Sequence, residues 1–162
     1  MNGRAKVKAY LNALGLPSDI GSFLNRITIQ KLVYLLREYD QELKFGYYWY
    51  IHGPYSTQLT RVLFDEEDST SPQDLNKFEL RAVNEVRNFL TDDLYKVDSL
   101  ELIVSLIYLM KHGRERDLNT KKDMIEFLQT EKPQFSLDEI ERAWEKIDDH
   151  PKWGEYAKHV GG

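Results

Sequence analysis

The side chains in this sequence best able to do chemistry are four histidines, at 52, 112, 150 and 159. No two of them stand four residues apart, the spacing that puts two imidazoles on one helix face, and none sits in a zinc or di-iron pattern. There are no cysteines, which removes thiolate nucleophiles, disulfides and Cys-ligated zinc. Ser56 and Ser105 lie outside any G-x-S-x-G elbow, and neither a Walker loop nor a G-x-G-x-x-G turn is present to cradle phosphate. The acidic runs Asp65 to Asp68 and Asp148-Asp149 lack the ligand spacing of a calcium loop and read as solvated ends. No nucleophile, base and orienting group can be assembled, so the expectation is a protein that is not an enzyme and carries neither cofactor nor metal.

Aromatic and amide groups are more informative. From Phe45 to His52 a period of two places Phe45, Tyr47, Trp49 and Ile51 on one side of an extended segment and Gly46, Tyr48, Tyr50 and His52 on the other. The odd-numbered side reads as core. Before it, Ile29, Leu32, Val33, Leu36 and Tyr39 recur at helix spacing, over a helix starting near Asn25 or Thr28 and ending about Asp40, with Lys31, Tyr34 and Arg37 on its wet side. After it, Gly53 and Pro54 force a bend, and Ser56 is a candidate cap for the next helix. Gln30, Lys31, Tyr34, Tyr48, Tyr50, His52, Gly53, Pro54, Tyr55 and Ser56 therefore form a candidate partner-binding surface, because tyrosines with one wet end suit protein interfaces. The competing reading is internal, with Gln30 or Lys31 hydrogen-bonding the carbonyls of the turn. A second candidate is the basic cluster Lys111, His112, Arg114, Arg116, Lys121 and Lys122, which could contact nucleic acid or simply complement a helix C-terminus.

These groups need a scaffold, and the chain has the material for one. Its 162 residues, 41% hydrophobic and 30% charged, fit one ordinary domain with its own core. A net charge of −5 gives no global attraction to phosphate, and the basic start Asn2 to Val7 lacks the apolar stretch of a secretory signal, so an intracellular, cytoplasmic setting is expected. Arg4 to Leu14 reads as an amphipathic helix closed by Gly15 and Pro17, and Leu59 and Leu63 face inward on the helix after Ser56, with Val62 and Phe64 as further candidates. Ser71-Pro72-Gln73-Asp74 marks another helix start, with Leu75, Phe78, Ala82, Val86, Phe89 and Leu90 as its buried stripe. Asp98 is read as the cap of an almost wholly apolar helix, Leu100 to Met110, too short to span a bilayer and needing cover on several sides. Thr120 with Asp123, and Ser136 with Glu139, announce two more helices, the second with Leu137, Ile140, Ala143, Trp144 and Ile147 inward. A short terminal helix anchored by Trp153 and Tyr156 completes the series. The expected fold is a mainly α, compact bundle of about six to eight helices around a buried central helix, with a short aromatic hairpin element.

The helix Gln30-Lys31-Leu32-Val33-Tyr34-Leu35, the aromatic strand and then Gly53-Pro54-Tyr55-Ser56 with Leu59 together resemble the Panacea antitoxin-like superfamily, and most of all its YwgA-like bacterial and archaeal branch. Leu100-Glu101-Leu102 through Leu109, and Lys132-Pro133-Gln134-Phe135-Ser136, are similar to the same branch. The resemblance implies a single helical domain over 1–162. It also implies a protein partner, toxin-like or regulatory, since some Panacea-containing proteins neutralise a toxin by direct binding.

Overall fold

Local rules account for most of the helix boundaries in the computed structural model, which describes residues 3–16, 22–64 and 74–161. Helix α1 (Gly3–Ala13) is followed by Gly15 at φ +75°, a left-handed position that stops a helix. Helix α2 (Phe23–Leu36) starts earlier than expected because the Ser22 hydroxyl accepts from the Asn25 N–H at 3.4 Å. Strands β1 (Tyr48–Tyr50) and β2 (Gly53–Tyr55) pair antiparallel, Trp49 opposite Pro54. Helix α3 (Thr57–Leu63) is capped by Ser56, as expected. Helix α4 (Lys77–Leu90) begins later than the Ser71-Pro72-Gln73-Asp74 signal. Three of those residues lie outside the described ones, and the working cap is the reciprocal pair Asn76 and Glu79.

Helix α5 (Val97–His112) starts one residue before Asp98, which therefore sits in its first turn rather than at its cap. Helices α6 (Lys121–Glu131) and α7 (Leu137–Asp148) open on the expected capping boxes Thr120/Asp123 and Ser136/Glu139, and α8 (Gly154–Lys158) follows the buried Trp153. The described residues thus form a mainly helical protein of eight α-helices with one two-stranded hairpin. None of these helices is long and apolar enough to cross a membrane.

Residues 1–100 and 101–162 form two compact units, with the boundary inside α5. In the second, every position from Glu101 to Met110 is buried, as the apolar run demands. Its two polar exceptions differ. Glu101 meets the buried Lys132 at 3.4 Å, with the Gln134 amide also at 3.4 Å, whereas the Ser105 hydroxyl is buried with no hydrogen-bond partner among the described residues. Helix α7 packs between α6 and α8. Ile140, Trp144 and Ile147 face inward as expected, but Leu137 in the first turn stays exposed.

In the first unit α4 packs on α1 and α2, α1 also meets α3, and β2 lies on α2. The interior contains a charge cluster that sequence reasoning passed over. Lys6 is buried and its Nζ lies 2.7 Å from Asp40, 2.6 Å from Glu42 and 3.0 Å from Glu79, while the Tyr10 hydroxyl donates to Asp40 at 2.6 Å. Because Glu79 turns inward to reach Lys6, it takes a place in the buried stripe of α4, and Phe78, expected there, is left exposed.

Burial alone would lower the pKa of Lys6, but its hydrogen bonds to Asp40, Glu42 and Glu79 win and hold the ammonium above its ordinary range. Asp40 is likewise opposed by burial, yet hydrogen bonds from Lys6 and Tyr10 hold it below the usual carboxylate range, and burial with the Asp40 bond raises the Tyr10 phenol. A depressed carboxylate stabilises above its unfolded pKa, so the Asp40 contribution is lost as pH falls below about 4. A raised lysine stabilises below its unfolded pKa, so the Lys6 contribution is lost only above about pH 10. Replacing Lys6→Met strands two buried carboxylates and is expected to cost about 3 kcal/mol at pH 7 in urea unfolding. The gap from wild type should narrow as the Asp40 contribution is lost toward pH 3. A gap that stays constant across that range would show that the cluster does not act as an ion network.

Candidate functional site

Two polar residues of α2 hold the hairpin from the inside. The Gln30 amide donates to the Ser56 carbonyl at 2.9 Å and accepts from the Ser56 N–H at 2.8 Å, closing a two-point clamp on the residue that caps α3. One turn position on, Lys31 Nζ donates to the Pro54 carbonyl at 2.6 Å. Both side chains are buried, with 1% and 0% exposure, and Tyr34 is also wholly buried. The expectation that Gln30, Lys31 and Tyr34 present polar tips to a partner is therefore corrected. The side of α2 read as wet is covered by the hairpin, which supplies the carbonyls that satisfy the polar groups.

The lead-in to β1 is fixed in the same way. The Tyr47 hydroxyl donates to the Gln30 carbonyl at 2.7 Å, and burial pushes that phenol well above its usual range. Arg37 lies over the rings of Tyr34 and Tyr47, 4.7 and 4.9 Å from their centres, and donates to the Phe45 carbonyl at 3.1 Å. Beyond this point the period of two holds only in part. Phe45 and Tyr47 are buried and Tyr48 and Tyr50 exposed, but Ile51, expected on the core side, is 88% exposed. Strand β1 ends at Tyr50, so Ile51 and His52 form the loop, and Gly53 closes it at φ +84°, where a side chain would be strained.

Seen from outside, this hairpin borders an apolar groove of about 420 Å³. It is lined by Phe23, Arg26 and Ile27 of α2, by Tyr50, Ile51, His52 and Tyr55 of the hairpin, and by Phe64 after α3. The His52 ring meets Phe23 edge-on at 5.2 Å, and Tyr50 meets Tyr55 at 5.6 Å. The Thr60 hydroxyl, 2.7 Å from the Tyr55 hydroxyl and 3.1 Å from the Gln30 amide, ties the groove wall to the clamp. Of the sequence candidates, Tyr48, Tyr50, His52 and Tyr55 reach the outer face, whereas Gly53, Pro54 and Ser56 are buried supports. Phe23, Arg26 and Ile27 were missed, and Phe64, a candidate for burial in sequence, is exposed. A signal was present in Phe23 and Ile27, which stand four residues apart on one face at the start of α2.

The basic cluster of the second unit is largely answered by its own surroundings. Lys121 pairs with Glu141 at 2.8 Å and lies over Trp144, and Lys122 faces Glu126 at 3.9 Å. Arg114 donates to the His159 carbonyl at 3.3 Å, Lys111 lies over Tyr156, and His112 stands 3.5 Å from Glu115. Arg116 is exposed at the end of the 3₁₀ turn Gly113–Arg116. Among the described residues no group of three or more His, Asp and Glu side chains could hold a metal ion. Comparisons of the chain with family models, curated proteins and solved structures find no match.

Replacing Gln30→Leu keeps bulk but orphans the buried Ser56 N–H, while the Ser56 C=O keeps its bond from the Thr60 N–H, and should cost about 2 kcal/mol, several degrees of Tm. Tyr48→Ala on the outer face should stay within about 0.5 kcal/mol of wild type. Thermal unfolding of the pair checks both, and equal losses would contradict this division into support and surface.

Proposed function

We propose that the chain is a non-enzymatic protein-binding domain of the cytoplasm, antitoxin-like or regulatory, whose docking face is the groove between the start of α2, the hairpin tip and Phe64. The reading rests on one observation: large apolar and aromatic side chains lie exposed around a concave surface whose backing is pinned by buried hydrogen bonds. Exposed apolar patches of this kind mark interaction sites, and a rigid support lowers the ordering cost of binding. The Panacea-like pattern of Gln30 to Leu35 and Gly53 to Ser56 agrees with such a role, because its residues build this support. Nucleic-acid binding through Lys111, Arg114, Arg116, Lys121 and Lys122 is the weaker reading, since Lys121 and Lys122 face carboxylates of the same chain.

Affinity capture from the native host, read by mass spectrometry with a nuclease-treated parallel sample, tests the proposal. Wild type should retain a stoichiometric protein that survives nuclease, and Ile51→Asp, with unchanged melting, should lose it. Retention by the variant, or dependence on nucleic acid, would remove this reading.

A further inference from the structure

Of the ten large hydrophobics that the described residues leave exposed, six are Phe23, Leu24, Tyr48, Tyr50, Ile51 and Phe64. Four of these line the groove, Leu24 adjoins Phe23, and Tyr48 pairs across the ladder with Tyr55 of the groove wall. Large side chains bury roughly 150–250 Å² each, so their exposed fractions leave on the order of 600 Å² of apolar surface. That is the upper end of what monomers tolerate and, with the polar rim, approaches the ~800 Å² that each partner contributes to a stable interface.

The exposed area suits a second copy, and charge and shape permit one. The chain carries −5, so two copies repel over most approaches, yet none of the eight residues lining the groove is a carboxylate. The same patch also holds both a hollow and a projection, since Ile51 stands at the hairpin tip beside the groove. A patch with both halves of a fit can meet its own copy about a two-fold axis, each tip facing the other's groove.

We propose that a second copy of the chain closes this face, forming a two-fold dimer in which the Ile51 tip of each copy enters the groove of the other. Self-association and the binding of another protein then compete for the same residues, so a partner acts on the monomer. This inference stands on its own, apart from the partner reading.

Sedimentation velocity of the full chain from about 1 to 300 μM tests it. Wild type should pass from monomer to dimer, and Ile51→Asp and Tyr50→Arg should each weaken the dimer at least about tenfold without altering the melting temperature. Leu137→Asp, at an exposed hydrophobic of the second unit, should dimerise like wild type. A wild type that stays monomeric, an Ile51→Asp variant that dimerises normally, or a Leu137→Asp variant that does not, would overturn the dimer. A monomeric wild type would leave the partner reading standing, and that reading fails separately if Ile51→Asp still captures the same protein.

Discussion

Ser56 is held by a single side chain on both its backbone groups, and the outer face of the first unit depends on that clamp. A primary amide carries its donor and its acceptor on separate atoms, as a peptide does, so Gln30 can match a peptide N–H and C=O together. The carbonyl of Pro54 is then met by Lys31 one residue along the helix. These contacts fix β2 against α2, and β1 follows through its pairing with β2. Two buried polar side chains thereby substitute for the further strands that a hairpin of three-residue strands ordinarily needs to be stable.

The position of apolar groups follows from this anchoring. With its inner edge satisfied by α2, the hairpin turns Tyr48, Tyr50 and Ile51 outward. The groove forms where the first turn of α2 and the end of α3 leave Phe23 and Phe64 uncovered. The cluster of Lys6, Asp40, Glu79 and Tyr10 lies elsewhere in the unit, joining α1, the segment after α2 and the start of α4. Replacing such a cluster by apolar packing is often neutral for stability, whereas removing one partner leaves a buried charge uncompensated.

Much of the fold was legible because periodicity and capping chemistry are local. The boxes at Thr120 and Ser136, the cap at Ser56 and the apolar run of α5 all appear where residue type alone places them. Failures came where tertiary partners overrule residue type. Lys6, Lys31 and Glu79 are charged and were expected in water, or were not considered, because the groups that satisfy them lie 23 to 73 residues away. Ile51 failed for the opposite reason, as an apolar residue that hairpin geometry strands at a tip. The sequence singled out the hairpin segment but could not separate the tyrosines that face outward from the polar residues that hold them there.

Native-state hydrogen exchange at the Ser56 amide tests the clamp most directly, because this N–H is donated to Gln30 Oε1 and to no strand ladder. Protection comparable to that of the buried amides in the middle of α2, falling by at least about tenfold in Gln30→Leu, is the predicted result. Exchange at the rate of an open turn in the wild-type protein would show that the hairpin is not anchored by α2.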